Sequence, residues 1–273
     1  MEDFLEVWGM KLSRSVLSTD EITYLSSLPI SIPSIQWVWK EIDRVWDSLD
    51  LNNKLSLESQ AIAQFYAHPV WIMNGIFSAL DPISFSHRQS IAKYVVESGH
   101  LRVTDFGGGF GELAKQILQL KSSMKVIIVE PYPSLLCKSR IQDEKNIQLF
   151  EKIVKDSQDV VIAQDVLEHV EDPILLAYIL SDAIPVGGIV IFANCFHPYI
   201  KCHLPATFHL RFTFRFIMIF MGLSYIGCVP GANHAQIFRK TRTLSFIKAR
   251  FLENISKLVG PLINLIKKQG NNQ

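Results

Sequence analysis

A glycine-rich segment in the middle of the chain has the residue types of a small-molecule binding site. Its pattern is Asp105-x-Gly107-x-Gly109-x-Gly111, an acid followed by glycines at every second position. Glycine allows a sharp turn with positive φ and lets a ligand approach the backbone, and a carboxylate at such a turn can hold an ammonium group. The dinucleotide-binding fingerprint Gly-x-Gly-x-x-Gly is excluded, because its last position, counted from Gly107, falls on Glu112.

A second acid follows the glycines at the distance expected for a ribose-binding residue. The apolar run of residues 126–129 is typical of a buried strand, and it ends at Glu130, 19 residues after Gly111. A carboxylate about 20 residues beyond a nucleotide-binding glycine loop accepts hydrogen bonds from the ribose hydroxyls. We therefore expect Glu130 to lie beside the ligand that the glycine loop binds.

A third group of polar residues follows another predicted strand, residues 159–163. Gln164, Asp165, Glu168 and His169 lie just beyond its carboxyl end, which is where ligands bind in open α/β sheets. Carboxylates and a histidine at such a position have the chemistry needed for proton transfer near neutral pH. This group is the third part of the predicted site.

The elements that must position these residues follow from the pattern of apolar side chains. Strands are predicted over residues 101–106, 125–130, 147–150, 159–163 and 188–195, with helices over 112–120, 134–143 and 173–184. An apolar helix near residues 213–221 precedes two more strands, 224–229 and 235–239, joined by a turn over 230–233. The alternation predicts right-handed βαβ units and a doubly wound α/β sheet covered on both faces.

The first hundred residues differ in composition from the rest and are predicted to be mostly helical. Helical spacing of apolar residues occurs over residues 35–49, 57–65 and 90–98. All five tryptophans fall within the first 71 residues, namely Trp8, Trp37, Trp39, Trp46 and Trp71. We interpret them as packing residues rather than as an aromatic binding site, because large aromatic side chains dominate protein cores.

Taken together, the motifs resemble those of the class I S-adenosylmethionine-dependent methyltransferases. The string Asp-Val-Leu-Glu-His-Val-Glu-Asp-Pro over residues 165–173 is similar to the fourth-strand motif of the ubiquinone-biosynthesis-type small-molecule O-methyltransferases. Residues 185–188, Pro-Val-Gly-Gly, resemble the family's Pro-Gly-Gly turn with Val186 inserted. The resemblance covers residues 101–196 closely, and it implies a Rossmann-like seven-stranded sheet whose last strand is antiparallel.

The resemblance also implies S-adenosylmethionine as the cofactor and a role for each motif residue. The methionine end of the cofactor would be bound by Asp105, Gly107, Gly109 and Gly111. Glu130 would bind its ribose, and Gln164 and Asp165 would form the floor below the methyl group. We expect transfer of the methyl group to a small-molecule acceptor, at a hydroxyl oxygen.

A hydroxyl acceptor requires a base, for which the sequence offers three histidines. The first choice is His169, because its position at a strand end faces the cofactor site, and His203 and His209 follow in the next loop. Five phenylalanines between residues 208 and 220 would suit a partly apolar acceptor. Structural roles for these histidines and phenylalanines remain open.

Metal binding and two other functions are alternatives. Asp165, Glu168, His169 and His203 resemble the ligands of metal-dependent RNA 2′-O-methyltransferases, and Cys195, His197, Cys202 and His203 could bind zinc. Neither set has a diagnostic spacing, so we expect no metal. The alternative functions are a metal-assisted RNA 2′-O-methyltransferase and a non-catalytic cofactor-binding module. No specific nucleic-acid module is recognised.

The charges are divided unevenly along the 273 residues. Through Pro173 the net charge is −8, and from Ile174 onward it is +9, with 11 Lys and Arg against two acids. A basic segment around the acceptor would favour an anionic acceptor. At 48% hydrophobic and 19% charged residues, the composition excludes a largely disordered chain.

We predict three units: a helical N-terminal cap over residues 1–98, the methyltransferase domain over 99–242, and a basic amphipathic helical tail over 243–273. The tail could dock on the domain, form a homodimer, or contact an anionic membrane surface. Four cysteines without C-x-x-C spacing favour a reduced, cytoplasmic setting. Neither a signal peptide nor a membrane-spanning segment is expected.

Overall fold

The N-terminal region combines a β-hairpin with five helices. A computed structural model describes residues 3–52, 60–131, 133–155 and 158–270, without the side chains of residues 264 and 266–270. The hairpin strands are β1 (Phe4–Val7) and β2 (Met10–Ser13), and a short 3₁₀ helix follows over Arg14–Val16. The helices are α1 (Thr19–Ser26), α2 (Ile35–Ser48), α3 (Gln60–Ala67), α4 (Val70–Leu80) and α5 (Pro82–Glu97).

The hairpin is an addition to the mostly helical cap that the sequence predicts. Trp8 and Gly9, with φ of 52° and 87°, form the two-residue turn between antiparallel strands. Such turns need two residues with positive φ, and the sequence signals for them are Asn-Gly or Asp-Gly pairs. Trp-Gly lacks that signal, and four-residue strands are too short for a clear alternation. Of the predicted helix over 57–65, residues 57–59 lie outside the described residues.

The tryptophans pack as interpreted from the sequence. Trp46 is buried, and Trp8, Trp37 and Trp71 pack around the same cluster of apolar residues in the cap. Trp39 instead stacks on Tyr199, as described below. Ser34 and Asp81 cap α2 and α5 by accepting hydrogen bonds from backbone N–H groups.

The remaining elements form the α/β unit and its C-terminal additions. The strands are β3 (Arg102–Phe106), β4 (Lys125–Val129), β5 (Ile147–Phe150), β6 (Val160–Gln164), β7 (Ile189–Ala193), β8 (Leu223–Val229) and β9 (Ala232–Lys240). The helices are α6 (Glu112–Leu120), α7 (Leu135–Ile141), α8 (Pro173–Asp182), α9 (Phe214–Met221) and α10 (Phe246–Gly270), with 3₁₀ helices at Leu167–His169 and Pro205–Arg211.

The predicted sheet is confirmed. Its seven strands lie in the order β5-β4-β3-β6-β7-β9-β8, and the first five are parallel. The last strand, β9, is antiparallel to both of its neighbours. The turn before it is tighter than predicted: Val229 pairs with Ala232, which leaves Pro230 and Gly231 as a two-residue turn. Gly231 has φ of 85°, which this turn requires.

Apolar side chains cover both faces of the sheet. One cluster joins β3, β4 and β6 to α6 and to Ile91, Ala92 and Val95 of α5. The other joins β6 and β7 to α8, α9 and Ala249 of α10. Helix α5, which the sequence assigns to the cap, therefore packs directly on the sheet, and α10 packs in the layer on the other face. The division into three units stays a prediction.

The C-terminal tail is a single helix, α10, that packs on α8 and α9. Its buried residues are Ala249, Glu253, Ser256 and Gly260, whereas its apolar stripe is exposed. Within the described residues, no helix has both the length and the apolar content needed to cross a membrane. The four cysteines are free thiols.

Candidate cofactor and acceptor site

The predicted cofactor residues meet at one edge of the sheet. Strand β3 lies between β4 and β6 in parallel register, so that Asp105 pairs with Ile128 on one side and Ile162 on the other. Glu130 directly follows β4, and Gln164 ends β6. Because the carboxyl ends of parallel strands share an edge, the three motifs converge at the point where ligands bind in this architecture.

The glycine loop between β3 and α6 adopts a backbone shape that other residues would resist. Gly107, Gly109 and Gly111 have φ of 73°, 50° and 75°. A Cβ atom on Gly107 would lie 2.6 Å from Val166 Cγ2, whereas one on Gly109 would meet no atom within 4 Å. The loop is therefore tightly packed on the protein side and open at Gly109, where a ligand could approach the backbone.

Asp105 is buried beneath this loop with an unsatisfied carboxylate oxygen. Within the described residues, its Oδ2 has no hydrogen-bond partner, and a Cβ on Gly108 would lie 2.6 Å from that oxygen. Burial, and then the charge of Glu130, raise the pKa of Asp105 to about 7, while Arg88 opposes the shift. A buried acceptor without a donor is costly, and the ammonium group of a ligand would satisfy it.

Arg88 is a site residue that sequence reasoning missed. It lies buried on α5 and donates hydrogen bonds to Ser78 Oγ at 2.9 Å and Ser78 O at 2.6 Å. Its positive charge lowers the pKa of both Asp105 and Asp165. In the sequence, Arg88 falls in helical register with the apolar residues Ile91 and Val95, which indicates that it lies on the buried face of the helix. Since buried arginines are rare unless they are paired, this position is the signal that could have identified it as a site residue.

The floor of the site carries backbone strain. Asp165 has φ of 53°, an unusual value for a residue with a side chain, and its N–H donates to Ala193 O at 2.8 Å. Its side chain is exposed, yet the surrounding protein raises its pKa by desolvation, and the Gln164 amide opposes that shift. The Gln164 Nε2 donates to Asp165 Oδ2 at 3.4 Å.

Glu168, His169 and His203 form a compact cluster beside these residues. One potential ligand atom from each lies within 4.8 Å of the others, an arrangement that could hold a metal ion. Glu168 Oε1 accepts a 2.8 Å hydrogen bond from Cys195 N, whereas its Oε2 has no partner among the described residues. Burial, and then Asp165, raise the pKa of Glu168 to about 8. Burial therefore favours the protonated form of this carboxyl.

Both histidines of the cluster are held in the same tautomer. His169 Nδ1 donates to Cys202 O at 3.2 Å, and His203 Nδ1 donates to His197 O at 2.6 Å. Each ring therefore keeps a lone pair on Nε2 when it is neutral. Burial, and then the neighbouring His203, lower the pKa of His169 to about 3, and burial also lowers that of His203. Both rings are neutral near pH 7 and can accept a proton or bind a metal.

Aromatic residues of the cap lie over the cluster. Trp71 meets the His169 ring edge-on at 6.2 Å and stacks on Tyr66 at 5.3 Å. Within the described residues, Trp71 Nε1 lacks a hydrogen-bond partner. The cap also contacts the glycine loop, since a Cβ on Gly75 of α4 would lie 2.9 Å from the Phe110 ring. The described part of the cap thus places apolar side chains beside the cluster, together with the unpaired N–H group of Trp71.

The loop after β7 is fastened to α2 of the cap. Tyr199 stacks between Trp39 at 5.1 Å and His197 at 5.3 Å. Lys201 N donates to Asp43 Oδ1 at 2.7 Å, and Lys201 Nζ pairs with Asp47 at 2.6 Å. We call this set of contacts the clasp. It fixes the loop that places His203 next to His169.

The third predicted base, His209, lies elsewhere. Its Nδ1 donates to Ala206 O at 2.7 Å, and its Nε2 is 3.9 Å from Glu253 of α10. A Cβ on Gly260 would lie 2.8 Å from His209 O, so α10 packs directly on this residue. These contacts indicate a packing role for His209 beneath α10, and the cluster contains the other two histidines.

Comparison with solved structures finds proteins of similar architecture. TnmH is 13% identical, with 81% of this chain and 76% of that chain aligned at a TM-score of 0.51. The mitomycin 7-O-methyltransferase MmcR is 14% identical over 76% of this chain and 69% of that chain, at a TM-score of 0.48. At these identities the likeness establishes the fold alone.

Other comparisons are more limited. An O-methyltransferase family 2 protein from Planctomyces limnophilus, solved with apigenin, is 15% identical at a TM-score of 0.40. That match covers 51% of this chain and 50% of that chain, so this chain spans about half the length of that protein. No protein-family model and no curated protein matches the sequence. The chain has the Rossmann-like, seven-stranded fold of the class I S-adenosylmethionine-dependent methyltransferases.

Proposed function

We propose that the protein is an S-adenosylmethionine-dependent methyltransferase that acts on a hydroxyl oxygen of a small molecule. The observation that carries the proposal is the unsatisfied, buried carboxylate of Asp105 beneath a glycine loop that is open at Gly109. In this proposal Asp105 binds the α-ammonium group of the cofactor, and Glu130 at the neighbouring strand end binds its ribose. The sequence string over residues 165–173 supports a relationship to the ubiquinone-biosynthesis type.

The cofactor, when bound, supplies a methyl group on a positively charged sulfur. The residues of the chain align the acceptor oxygen with that methyl and exclude water. His203 Nε2 would accept the hydroxyl proton of the acceptor as the acceptor oxygen takes the methyl group that the bound cofactor supplies. The imidazolium would then release that proton to solvent.

His203 is a better base than His169 on physical grounds. A base with a pKa near 3, as for His169, has little affinity for a proton at neutral pH, and base catalysis weakens with falling basicity. In this proposal His169 positions His203 and the acceptor, because the two rings meet edge-on at 4.9 Å. The preference in the sequence for His169 therefore changes to His203.

The acceptor in this proposal has an apolar part and a hydroxyl group. Tyr66 and Trp71 lie over the cluster and offer apolar ring surface, which suits an aromatic or otherwise partly apolar molecule. The segment from Ile174 onward, which includes the loop that carries His203, has a net charge of +9. An anionic group on the acceptor would fit that charge.

Isothermal titration with S-adenosylmethionine and with S-adenosylhomocysteine tests the cofactor assignment. We expect binding by the wild type and at least about tenfold weaker binding by Asp105→Asn, because a neutral amide loses the ion pair with the ammonium group. Asp159→Asn is the matched control: Asp159 precedes β6 at the opposite edge of the sheet and pairs with Arg102. A folded wild type that binds neither compound would overturn the proposal.

A second candidate is a metal-assisted methyltransferase, favoured by the Glu168, His169 and His203 cluster. Two neutral Nε2 atoms and an unpartnered carboxylate oxygen within 4.8 Å fit a divalent cation such as Zn²⁺. Bound there, a cation would lower the pKa of the acceptor hydroxyl. Elemental analysis of the purified protein would find about one metal ion per chain, and chelation would abolish activity. Activity that survives complete metal removal excludes this candidate.

A further inference from the structure

Helix α10 turns its apolar stripe away from the rest of the chain. Ile247 is 81% exposed, Phe251 66% and Leu258 77%. At about 3.6 residues per turn these positions lie on one face of the helix, and the face continues through Leu262 and Leu265, which are also exposed. A contiguous exposed apolar surface of this kind marks an interaction site. We call these five residues the outer stripe.

The outer stripe is not needed to hold α10 on the domain. The opposite face does so with small and polar residues: Ser256 Oγ donates to His209 O at 3.1 Å and lies 2.6 Å from Thr213 Oγ1. Gly260 packs against the His209 backbone, and Ala249 is fully buried. Phe246 and Leu252 also pack, partly buried, against the apolar cluster on this side. The docked helix nevertheless leaves its outer stripe in solvent, which is unusual for a surface helix.

Positive charges flank the outer stripe on both sides. Lys248 and Lys257 lie on opposite sides of it in helical projection, and both are exposed. The sole acid of residues 244–273, Glu253, is buried and bonded to Arg250 and Lys257. The outward face of α10 is therefore apolar along its centre and basic at its margins.

The neighbouring helix α9 has the same character. Phe216 and Phe220 are half-exposed, and Arg215 lies over the Phe216 ring at 5.1 Å. Arg211, just before α9, is exposed as well. Aromatic rings beside arginines are suited to the boundary between lipid headgroups and acyl chains, where one end of a side chain is apolar and the other is wet.

The charge pattern distinguishes two possible occupants of the outer stripe. In a symmetric dimer the same surface meets itself, so two stripes in contact would bring Lys248 of both copies together without an acid on α10 to neutralise it, and Lys257 shares the single carboxylate of Glu253 with Arg250. An anionic bilayer offers acyl chains to the stripe and phosphates to the lysines. We propose that α10, with α9, binds the surface of an anionic lipid membrane and lies in its plane.

Vesicle co-sedimentation of the full chain tests this proposal. We expect the wild type to pellet with vesicles of phosphatidylglycerol and phosphatidylcholine, and to bind at least about tenfold more weakly to phosphatidylcholine alone or at high salt. The variant Phe251→Glu/Leu258→Glu should lose binding to the anionic vesicles. The matched control Ile83→Glu/Val186→Glu alters two side chains that are 66% and 64% exposed on other surfaces, and it should bind as the wild type does.

Two results would overturn the proposal. One is a folded wild type, judged by circular dichroism, that stays in the supernatant with anionic vesicles. The other is a lipid-free dimer in sedimentation velocity that Phe251→Glu/Leu258→Glu converts to monomer, which would show that a second copy covers the outer stripe. The expected lipid-free state is a monomer for all three proteins. These measurements do not depend on cofactor binding, so failure of the proposed function would leave them interpretable.

Discussion

At the scale of single residues, the protonation state of Asp105 links the cofactor site to pH. In the unfolded chain its carboxyl has a pKa near 3.8, whereas in the folded chain burial raises that pKa to about 7. Between these values the folded protein holds a proton that the unfolded chain has lost. The contribution of Asp105 to stability is therefore fully present below pH 3.8 and is lost as the pH rises to about 7.

The variant Asp105→Asn should reveal this loss. One pKa unit corresponds to about 1.4 kcal/mol. The free energy of unfolding of the variant minus that of the wild type should therefore increase by roughly 2–4 kcal/mol from low to neutral pH. Urea unfolding at about pH 4 and about pH 8 measures the difference. A variant whose relative stability is the same at both pH values would show that Asp105 is already ionised in acid.

His203→Gln tests the base at the same scale. The amide keeps a donor for His197 O but cannot take up a proton, so we expect kcat to fall by about 10²- to 10⁴-fold. The affinity for S-adenosylmethionine should be unchanged. The assay uses labelled cofactor with an acceptor isolated from a cell extract. His100→Gln, a histidine before β3, serves as the control, and an unchanged kcat in His203→Gln would exclude this residue as the base.

The wild-type pH profile provides a second test of His203. Because burial lowers its pKa below the ordinary 6.5, the ring is already neutral at pH 7. The rate should therefore stay constant from neutral pH downward and fall only below the ordinary histidine range. Measurement of kcat against pH locates this limb. A fall centred at 6.5 or higher would contradict the assignment.

At the scale of elements, the glycine loop is where backbone shape matters most. An alanine at Gly111 would adopt φ of 75° with its Cβ 2.9 Å from Ile141 Cγ2, whereas one at Gly9 would adopt φ of 87° in open space. Left-handed backbone costs about 1–2 kcal/mol in either position. The contact at Gly111 adds roughly 1–3 kcal/mol, because Ile141 lies in a packed core.

Chemical denaturation of Gly111→Ala and Gly9→Ala separates these two costs. We expect Gly111→Ala to be the less stable variant, by the energy of the steric contact. Equal losses in the two variants would mean that α7, which carries Ile141, moves aside without cost. In that case the positive φ alone, and not the steric contact, would require glycine at position 111.

The sequence predicted those parts of the site that local pattern determines. Asp105, Glu130 and Gln164 converge because each ends a strand, and strand order in a βαβ sheet follows from connection rules. His203 was grouped with His169 in the sequence only by resemblance to a metal-ligand set, because local pattern does not place the loop that carries it. His203 reaches His169 only because contacts more than 150 residues apart, such as Lys201 with Asp43, fix that loop. Arg88, Tyr66 and Trp71 enter the site by tertiary packing of the cap.

The same distinction explains the tail. The helical spacing of its apolar residues predicted a helix, and the structure has that helix. The spacing does not determine which face of the helix is buried. The small residues Ala249, Ser256 and Gly260 allow close approach to α9 and the 3₁₀ helix before it. Close packing of backbone atoms at Gly260 favours docking of the face with the small residues, and the outer stripe stays outside.

At the scale of the whole molecule, the tryptophans allow the cap to be observed separately. All five lie within the first 71 residues, so tryptophan fluorescence reports on the cap, while far-ultraviolet circular dichroism reports on all helices and strands. Trp71 on His169, Phe110 against Gly75, and α5 on the sheet join the cap to the α/β unit. We therefore expect the two signals to change at the same urea concentration.

Separate transitions would contradict that expectation. A fluorescence change at a lower urea concentration than the change in circular dichroism would show that the cap unfolds by itself. The predicted boundary near residue 98 would then separate two units that unfold independently. The variant Trp71→Phe provides a control. It removes the tryptophan nearest the site while keeping an aromatic ring over His169, so its fluorescence reports on the other four tryptophans of the cap.

The clasp bears on which step limits turnover. An exposed ion pair, Lys201 with Asp47, and a stack on the half-exposed Tyr199 hold α2 and the loop after β7 together. In the proposed function, an acceptor that enters between them opens these contacts. Such contacts are worth about 1 kcal/mol each in water. Opening is therefore cheap on the scale of a chemical barrier. With cheap opening, the proposed function predicts that methyl transfer rather than product escape sets the rate, so viscogens that slow diffusive opening should leave kcat unchanged.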